Sequence, residues 1–383
     1  MYQQSISAVI MVGNGGDSPQ EQLVLQAQRA CALDFVHTLL DQGIAPIIVA
    51  APTTAWVPPG LDVICDQDRP GQPFHFGQRL SGLISDYHLS ATMYFGGGST
   101  PLIDGSLVNM IAGMLHRAQY YAASSKIPSH IALTNNLHSS DWLALTHPLD
   151  ALAVIQGTER DNSLAWLLND SGEYEVRAIA KIRPAAGLDL DTPTDLALVA
   201  HHPGLKPRLA AVVQDRRLHA IPVQEIISVA SQPETNVTLI GRVSPLAWQA
   251  LNKATSCWVR VFAEERGMTA SGRLQRGEVR SMIGEMLRAR GAHAFFQMLS
   301  QMTDAAIIDS RPLMAALGHW PTAANRFASD LYLIDQIEDP WLQEFTAAAA
   351  AAPIPILLGG HSVVAGGLYA LVEIIEGRRK RSG

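Results

Sequence analysis

Twice in its first hundred residues the chain runs an apolar stretch of strand length straight into a cluster of glycines. Ile6–Val12 enters Gly13-Asn14-Gly15-Gly16, and Ala91–Phe95 enters Gly96-Gly97-Gly98. The first cluster opens a long segment, Gln20 to Leu40, whose apolar residues Leu23, Ala27, Ala30, Leu33, Val36 and Leu40 recur at helical spacing. Strands that end in glycine turns and hand over to helices build a mostly parallel sheet with helices on both faces. Ligands of such sheets sit at the carboxyl ends of the strands. The loops 13–17 and 96–104 are therefore where chemistry is expected.

The alternation continues. Ala45–Ala50, Asp62–Cys65 and Ser129–Thr134 read as strands, and Gly77–Asp86 and Leu107–Arg117 as helices. Gly187–Leu196, GLDLDTPTDL, ends in a helix start: Thr192 suits the N-cap, Pro193 the first helical position, and Asp195 completes a capping box. The following HHPGLKP, with two prolines and a glycine, predicts a boundary between a domain over residues 1–203 and a second over 204–383. The second part is α/β as well. Val237–Ile240, Trp258–Phe262, Ala305–Asp309 and Ile354–Leu358 read as strands, and Gly277–Arg290 and Pro312–Leu317 as helical.

Composition narrows the function. A net charge of −7 argues against broad nucleic-acid binding. The two parts differ, with 9 Lys and Arg against 19 Asp and Glu up to Pro203, and 19 against 16 beyond it. Three scattered cysteines make neither a disulfide framework nor a CxxC metal site and fit a reducing compartment. The N-terminus carries no secretory pattern, and the uncharged stretch Phe345–Val372 is broken by prolines and glycines. A cytoplasmic protein with no membrane partner is expected. The thirteen histidines show no ligand spacing, so zinc is not expected.

The order strand, Gly-rich loop, helix, then a strand into GGGSTPLID and a closing GLDLDTPTDL resembles the nucleotidyltransferase-like (glycosyltransferase-A-type) fold, near the MobA-like NTP transferases and 2-phospho-L-lactate guanylyltransferase. The resemblance covers roughly residues 1–205. It implies a nucleoside triphosphate or nucleotide-sugar held by Gly13, Asn14, Gly15 and Gly16 and by Gly96, Gly97, Gly98 and Ser99. It further implies magnesium on Asp189 or Asp191, with Asp104 as a further carboxylate, and nucleotidyl transfer to a small phosphorylated or carboxylated acceptor. Two departures are visible. Gly13 to Gln28 contains no Arg or Lys, and Ser99 stands where the family's pattern has its metal-binding Asp.

The second domain matches no family known to us, yet it offers two anion-ready loops. Arg266, Ser271, Gly272 and Arg273 follow a strand end, and guanidinium forks with Gly and Ser donors suit a phosphate or carboxylate. Their rival is an internal ion-pair network with Glu264 and Glu265. Gly359, Gly360 and His361 form a second strand-to-helix corner. The expectation is thus a nucleotide-binding protein, active as a magnesium-dependent nucleotidyltransferase. One alternative is a catalytically degenerate sensor or scaffold of that fold. The other is isomerase or lyase chemistry on a phosphosugar, with His361 and Glu264 or Glu265 as acid and base.

Overall fold

The computed structural model describes residues 5–69, 71–99, 101–121, 130–179 and 187–382. Contacts divide the chain into two compact units, Met1–Asn14 with Gln28–Gly187 and Gly15–Ala27 with Leu188–Gly383. The stretch 188–203, placed by the sequence at the close of the first domain, groups with the second unit instead.

Unit 1 holds a seven-stranded sheet. Its strands are β1 (Ser7–Met11), β2 (Ile47–Ala51), β3 (Ile64–Gln67), β4 (Ala91–Gly96), β5 (Ile131–Thr134), β6 (Trp142–Thr146) and β7 (Glu175–Ala178), in the order β3-β2-β1-β4-β6-β5-β7. β1 pairs in parallel with both β2 and β4, and only β6 runs against its neighbours. β1, β2, β4, β5 and β6 are buried almost throughout, as central strands covered on both faces must be. Val9, Ile48, Tyr94 and Leu145 pack with the helix Phe76–Asp86 in one core. Gly77 permits that packing, because a Cβ there would lie 2.0 Å from the Ile155 carbonyl. Position 129, expected to begin β5, lies outside the described residues.

Unit 2 holds a four-stranded, wholly parallel sheet. Its strands are β8 (Asn236–Gly241), β9 (Trp258–Ala263), β10 (Ala305–Asp309) and β11 (Ile356–Gly359), in the order β11-β10-β8-β9. Phe295, Phe296 and Phe345 lead its core. The helix expected over Gly277–Arg290 spans only Met282–Arg290, because Gly277 takes a left-handed φ of +65° and Ser281 caps the helix by accepting from the Gly284 amide. Arg276 and Arg280 therefore precede the helix and do not share a face on it. Both units are α/β. Among the described residues no helix is long and apolar enough to cross a membrane.

Candidate functional site

Successive connections leave in opposite directions from β1 and β4 in unit 1 and from β8 and β10 in unit 2. The crevice outside the carboxyl ends at such a reversal is where open α/β sheets take ligands. The β1/β4 reversal is lined by residues the sequence pointed to.

At the β1/β4 reversal, the Gly97 amide donates to the Met11 carbonyl at 2.9 Å, so the two loops meet. A Cβ on Gly97 would lie 2.8 Å from the Val12 side chain. Ser99, 2 % exposed, turns its Oγ back to the Gly96 carbonyl at 2.9 Å and closes the loop on itself. Gly13 and Asn14 are exposed, and among the described residues their N–H groups have no acceptor. No atom lies within 4 Å of where a Cβ of Gly13 would be.

Gly15 and Gly16 have a different reason to be glycine. Ser18 caps the helix Pro19–Asp41 through a capping box: Ser18 Oγ accepts from the Glu21 amide at 3.2 Å and donates to the Glu21 carboxylate at 2.7 Å. A Cβ on Gly16 would lie 2.1 Å from that carboxylate. The helix start is thus already occupied by the chain's own anion.

Sequence reasoning missed several polar groups beside these loops. Asp141, whose carbonyl accepts from the Gly96 amide at 3.2 Å, receives Asn135 Nδ2 at 2.5 Å and Asn162 Nδ2 at 3.3 Å. Arg29, within the helix Pro19–Asp41, is the first cation along the chain. Its guanidinium lies 5.8 Å from the Trp56 ring, and its buried Nε has no partner among the described groups. Trp56, in the segment after β2, was readable as an aromatic in a Pro-rich turn but nothing local tied it to Arg29.

The three carboxylates expected to hold magnesium do not form one set. Asp104, in unit 1, accepts from Ser106 Oγ at 2.8 Å and the Leu107 amide at 2.9 Å, capping the helix Gly105–Tyr121. Asp189 and Asp191 belong to unit 2 and are hydrogen-bonded to each other. Burial raises the Asp191 carboxyl although its surface remains exposed, while Asp189, Arg242 and Arg311 oppose the rise. A pair of carboxylates suits magnesium, which takes one or two from protein and completes its shell with water and phosphate. Among the described residues no group of three or more His, Cys, Asp or Glu side chains is placed to hold a metal ion.

The DLDTP segment is fastened to the β11 corner, so two features read as belonging to separate domains come together. Ser362 Oγ donates to the Asp189 carbonyl at 2.9 Å and Thr194 Oγ1 to the Leu358 carbonyl at 2.5 Å. A Cβ on Gly360 would lie 3.0 Å from Thr192, and one on Gly359 2.7 Å from Val363. The capping box forms, with Asp195 Oδ2 accepting from both the amide and hydroxyl of Thr192 at 2.8 Å. Its other oxygen, Oδ1, is buried with no partner among the described groups. Burial and the Asp191 charge push the Asp195 carboxyl up to about 8.

Two buried ion pairs that the sequence did not reveal lie under this corner. Arg242 reaches Asp309 at the β8/β10 reversal, Nε to Oδ2 at 2.6 Å. Arg311 makes a two-pronged contact with Asp330 at 2.6 and 2.7 Å. Asp309 is wholly buried, which alone would raise its carboxyl, but Arg242 holds it below the usual range. Burial and the Arg242 charge bring the His361 imidazole down to about 4.

The Arg266–Arg273 loop divides between the two expectations. Arg273 pairs internally with Glu265 at 3.0 Å and also donates to the Arg266 carbonyl at 3.1 Å. Gly272 is left-handed, with φ +72°, and a Cβ there would lie 2.6 Å from Arg276, which donates to the Ser271 carbonyl at 3.0 Å. Arg266 is exposed, and among the described residues its guanidinium has no partner.

No protein-family model matches the chain, and no curated protein matches its sequence. Among solved structures it is similar to a nucleotide-diphospho-sugar transferase from Desulfovibrio desulfuricans, at 12% identity and a TM-score of 0.35, covering 51% of this chain and 85% of the other. A cytidylyltransferase from Leptospira borgpetersenii is similar at 12% identity and a TM-score of 0.34, covering 55% and 93%. The 2-C-methyl-D-erythritol 4-phosphate cytidylyltransferase from Thermus thermophilus is similar at 14% identity and a TM-score of 0.32, covering 55% and 100%.

Proposed function

We propose that the chain is a nucleotide-binding protein of nucleotidyltransferase-like class, taking a nucleoside triphosphate or nucleotide-sugar at the β1/β4 reversal. The observation that carries this reading is the meeting of two glycine loops there, with the Gly13 and Asn14 amides unengaged. Successive free amides at a strand end are suited to phosphate oxygens. Arg29 and Trp56 offer a cation and an aromatic face from the same unit. The reaction this reading expects is nucleotidyl transfer to a small anionic acceptor. Within unit 2, Asp189 and Asp191 are the carboxylates that would hold magnesium.

Gly13→Val tests the reading, because the open space around Gly13 lets the protein accept the side chain while a phosphate drawn to the Gly13 amide would not. In thermal-shift titrations at about 1 mM nucleotide, the wild-type melting temperature should rise by mass action and that of Gly13→Val should not. A wild-type protein that responds to no nucleotide, or a variant that responds equally, would overturn it.

A further inference from the structure

Unit 2 leaves one edge of its sheet open. β9 lies outermost in the order β11-β10-β8-β9, and none of its residues is buried. The Trp258 amide donates to the Thr235 carbonyl at 2.7 Å and the Glu264 amide to the Gly241 carbonyl at 3.0 Å. Alternate residues of a strand face their backbone groups to the same side, so Val259, Val261 and Ala263 turn theirs away from β8. Among the described residues their N–H groups have no acceptor. The other edges are guarded. β11 is buried and gives its Ile356 carbonyl to the Tyr332 hydroxyl at 2.5 Å, while β3 and β7 are short and charged. β9 is longer and has neither proline nor lysine to deter pairing.

Apolar side chains flank this edge. Trp258, 68 % exposed, opens β9, and the carbonyl of the exposed Met302 accepts from Arg260 Nη1. At the other end the amide of Met282, 85 % exposed, is held by the Glu264 carboxylate, and Met286 follows one turn along the helix Met282–Arg290. Such a concentration of exposed apolar side chains beside one strand marks an interaction surface. Charge is divided along the strand as well. Arg266 lies beyond its carboxyl end. Because Asn236 stands opposite Trp258, the exposed Glu234 lies beside position 256, at its amino end. Among the described residues Glu234 has no ion-pair partner.

We propose that β9 pairs antiparallel with β9 of a second copy of this chain, about a two-fold axis at Val261, joining the two four-stranded sheets edge to edge. Outward backbone groups must meet outward ones. Val261 therefore exchanges hydrogen bonds with Val261 of the second copy, and Val259 with Ala263 of the second copy. Arg260 then stands opposite Phe262 of the second copy, a guanidinium against a ring, whereas an axis moved to Arg260 would oppose two like charges. The same axis brings Arg266 opposite position 256 of the second copy, next to Glu234 of the second copy. This self-complementarity is why the occupant is a second copy and not a strand of another protein. The pairing uses unit 2 alone and stands whether or not the β1/β4 loops bind nucleotide.

Sedimentation equilibrium of the full chain tests it. Wild type at about 100 μM should show twice the chain mass. Val261→Pro removes an outward amide, a change that edge strands tolerate, and should give a monomer that still unfolds cooperatively. Glu234→Lys, at an exposed position, should weaken the dimer severalfold and leave the fold intact. Should Val261→Pro fail to fold, Val261→Cys decides the matter, made with Cys65→Ser because Cys65 is the exposed native thiol. It places two thiols at the axis with Cα atoms about 5.5 Å apart, within disulfide range. Mild oxidation should link that variant into a covalent dimer. A wild type that stays monomeric would leave the edge to a strand of another protein and overturn the proposal. So would a dimer that survives Val261→Pro, or a Val261→Cys variant that does not cross-link.

Discussion

Arg242 lies across the wholly buried Asp309, with Nε 2.6 Å and Nη2 3.1 Å from its two carboxylate oxygens. The preceding residue makes this possible. Gly241 takes a φ of +111°, and a Cβ there would lie 2.7 Å from Asp309 Cβ. The β8/β10 reversal of unit 2 is thus closed at its floor by a charge pair that nothing but glycine could admit. Truncating Arg242 strands a charge inside protein, whereas replacing Asp309 removes it. Arg242→Ala should cost about 3–5 kcal/mol of stability, and Arg242→Ala with Asp309→Asn less than the single change. Urea unfolding of the three proteins measures this. A double variant weaker than Arg242→Ala would mean that the pair is not the reason for the loss.

Asp195 sets the alkaline side of the stability profile. Its carboxyl rises from the usual value near 3.8 to about 8 through burial and the neighbouring Asp191. A carboxyl raised on folding contributes stability that is fully present below its unfolded value and is lost as pH climbs through the folded one. Wild type should therefore weaken between pH 4 and pH 8. Asp195→Asn keeps an acceptor for the Thr192 amide and does not ionise. The variant should gain on wild type by a few kcal/mol across that range. Denaturant melts at several pH values would show the two curves converging or crossing, and parallel curves would refute the assignment.

His361 works in the opposite direction. Burial and the Arg242 charge hold it near 4, Arg266 lowers it further, and Asp309 pulls it up. A base depressed on folding contributes stability above its unfolded value near 6.5 that is lost as pH falls toward the folded one. His361→Gln should remove about 1–2 kcal/mol of the wild-type decline between pH 6.5 and pH 4, allowing for a ring that is partly solvent-exposed. An unchanged acid limb would show that other groups govern it.

Glu21 is the anion already seated at the first helix start. Glu21→Gln keeps the hydrogen-bonding shape of the capping box while removing a negative charge beside the loop that begins at Gly13. It should tighten nucleotide binding severalfold and cost up to about 1 kcal/mol of stability. Titration of wild type and variant at two salt concentrations would check both, since the gain should shrink as salt rises.

The sequence signals that proved readable were local ones. Apolar runs into glycines located β1 and β4, and Thr192-Pro193 with Asp195 located the helix Pro193–Val199 and its capping box. What escaped was set by partners far along the chain. Nothing near Thr194 says that its hydroxyl belongs to the Leu358 carbonyl. Arg242 and Asp309 look unremarkable in isolation, since each ends its own strand as polar residues often do. The antiparallel β6, WLALT, has no alternation to announce it because both its faces are buried. Arg266 and Arg273 look alike in sequence, and only Glu265, turned left-handed, decides which of them is paired.

The fastening of Thr194 to Leu358 also has a consequence in time. A ribosome that has just released Leu188–Ala200 must add some 160 residues before the partner strand exists. At synthesis rates of about 5–20 residues per second, that delay is on the order of ten seconds or more. During it, Leu196, Leu198 and Val199, all finally buried, have no β11 to rest on. Nascent chains halted before residue 354 should accordingly be held by chaperones that grip apolar segments, and those halted after the last helix has emerged should not.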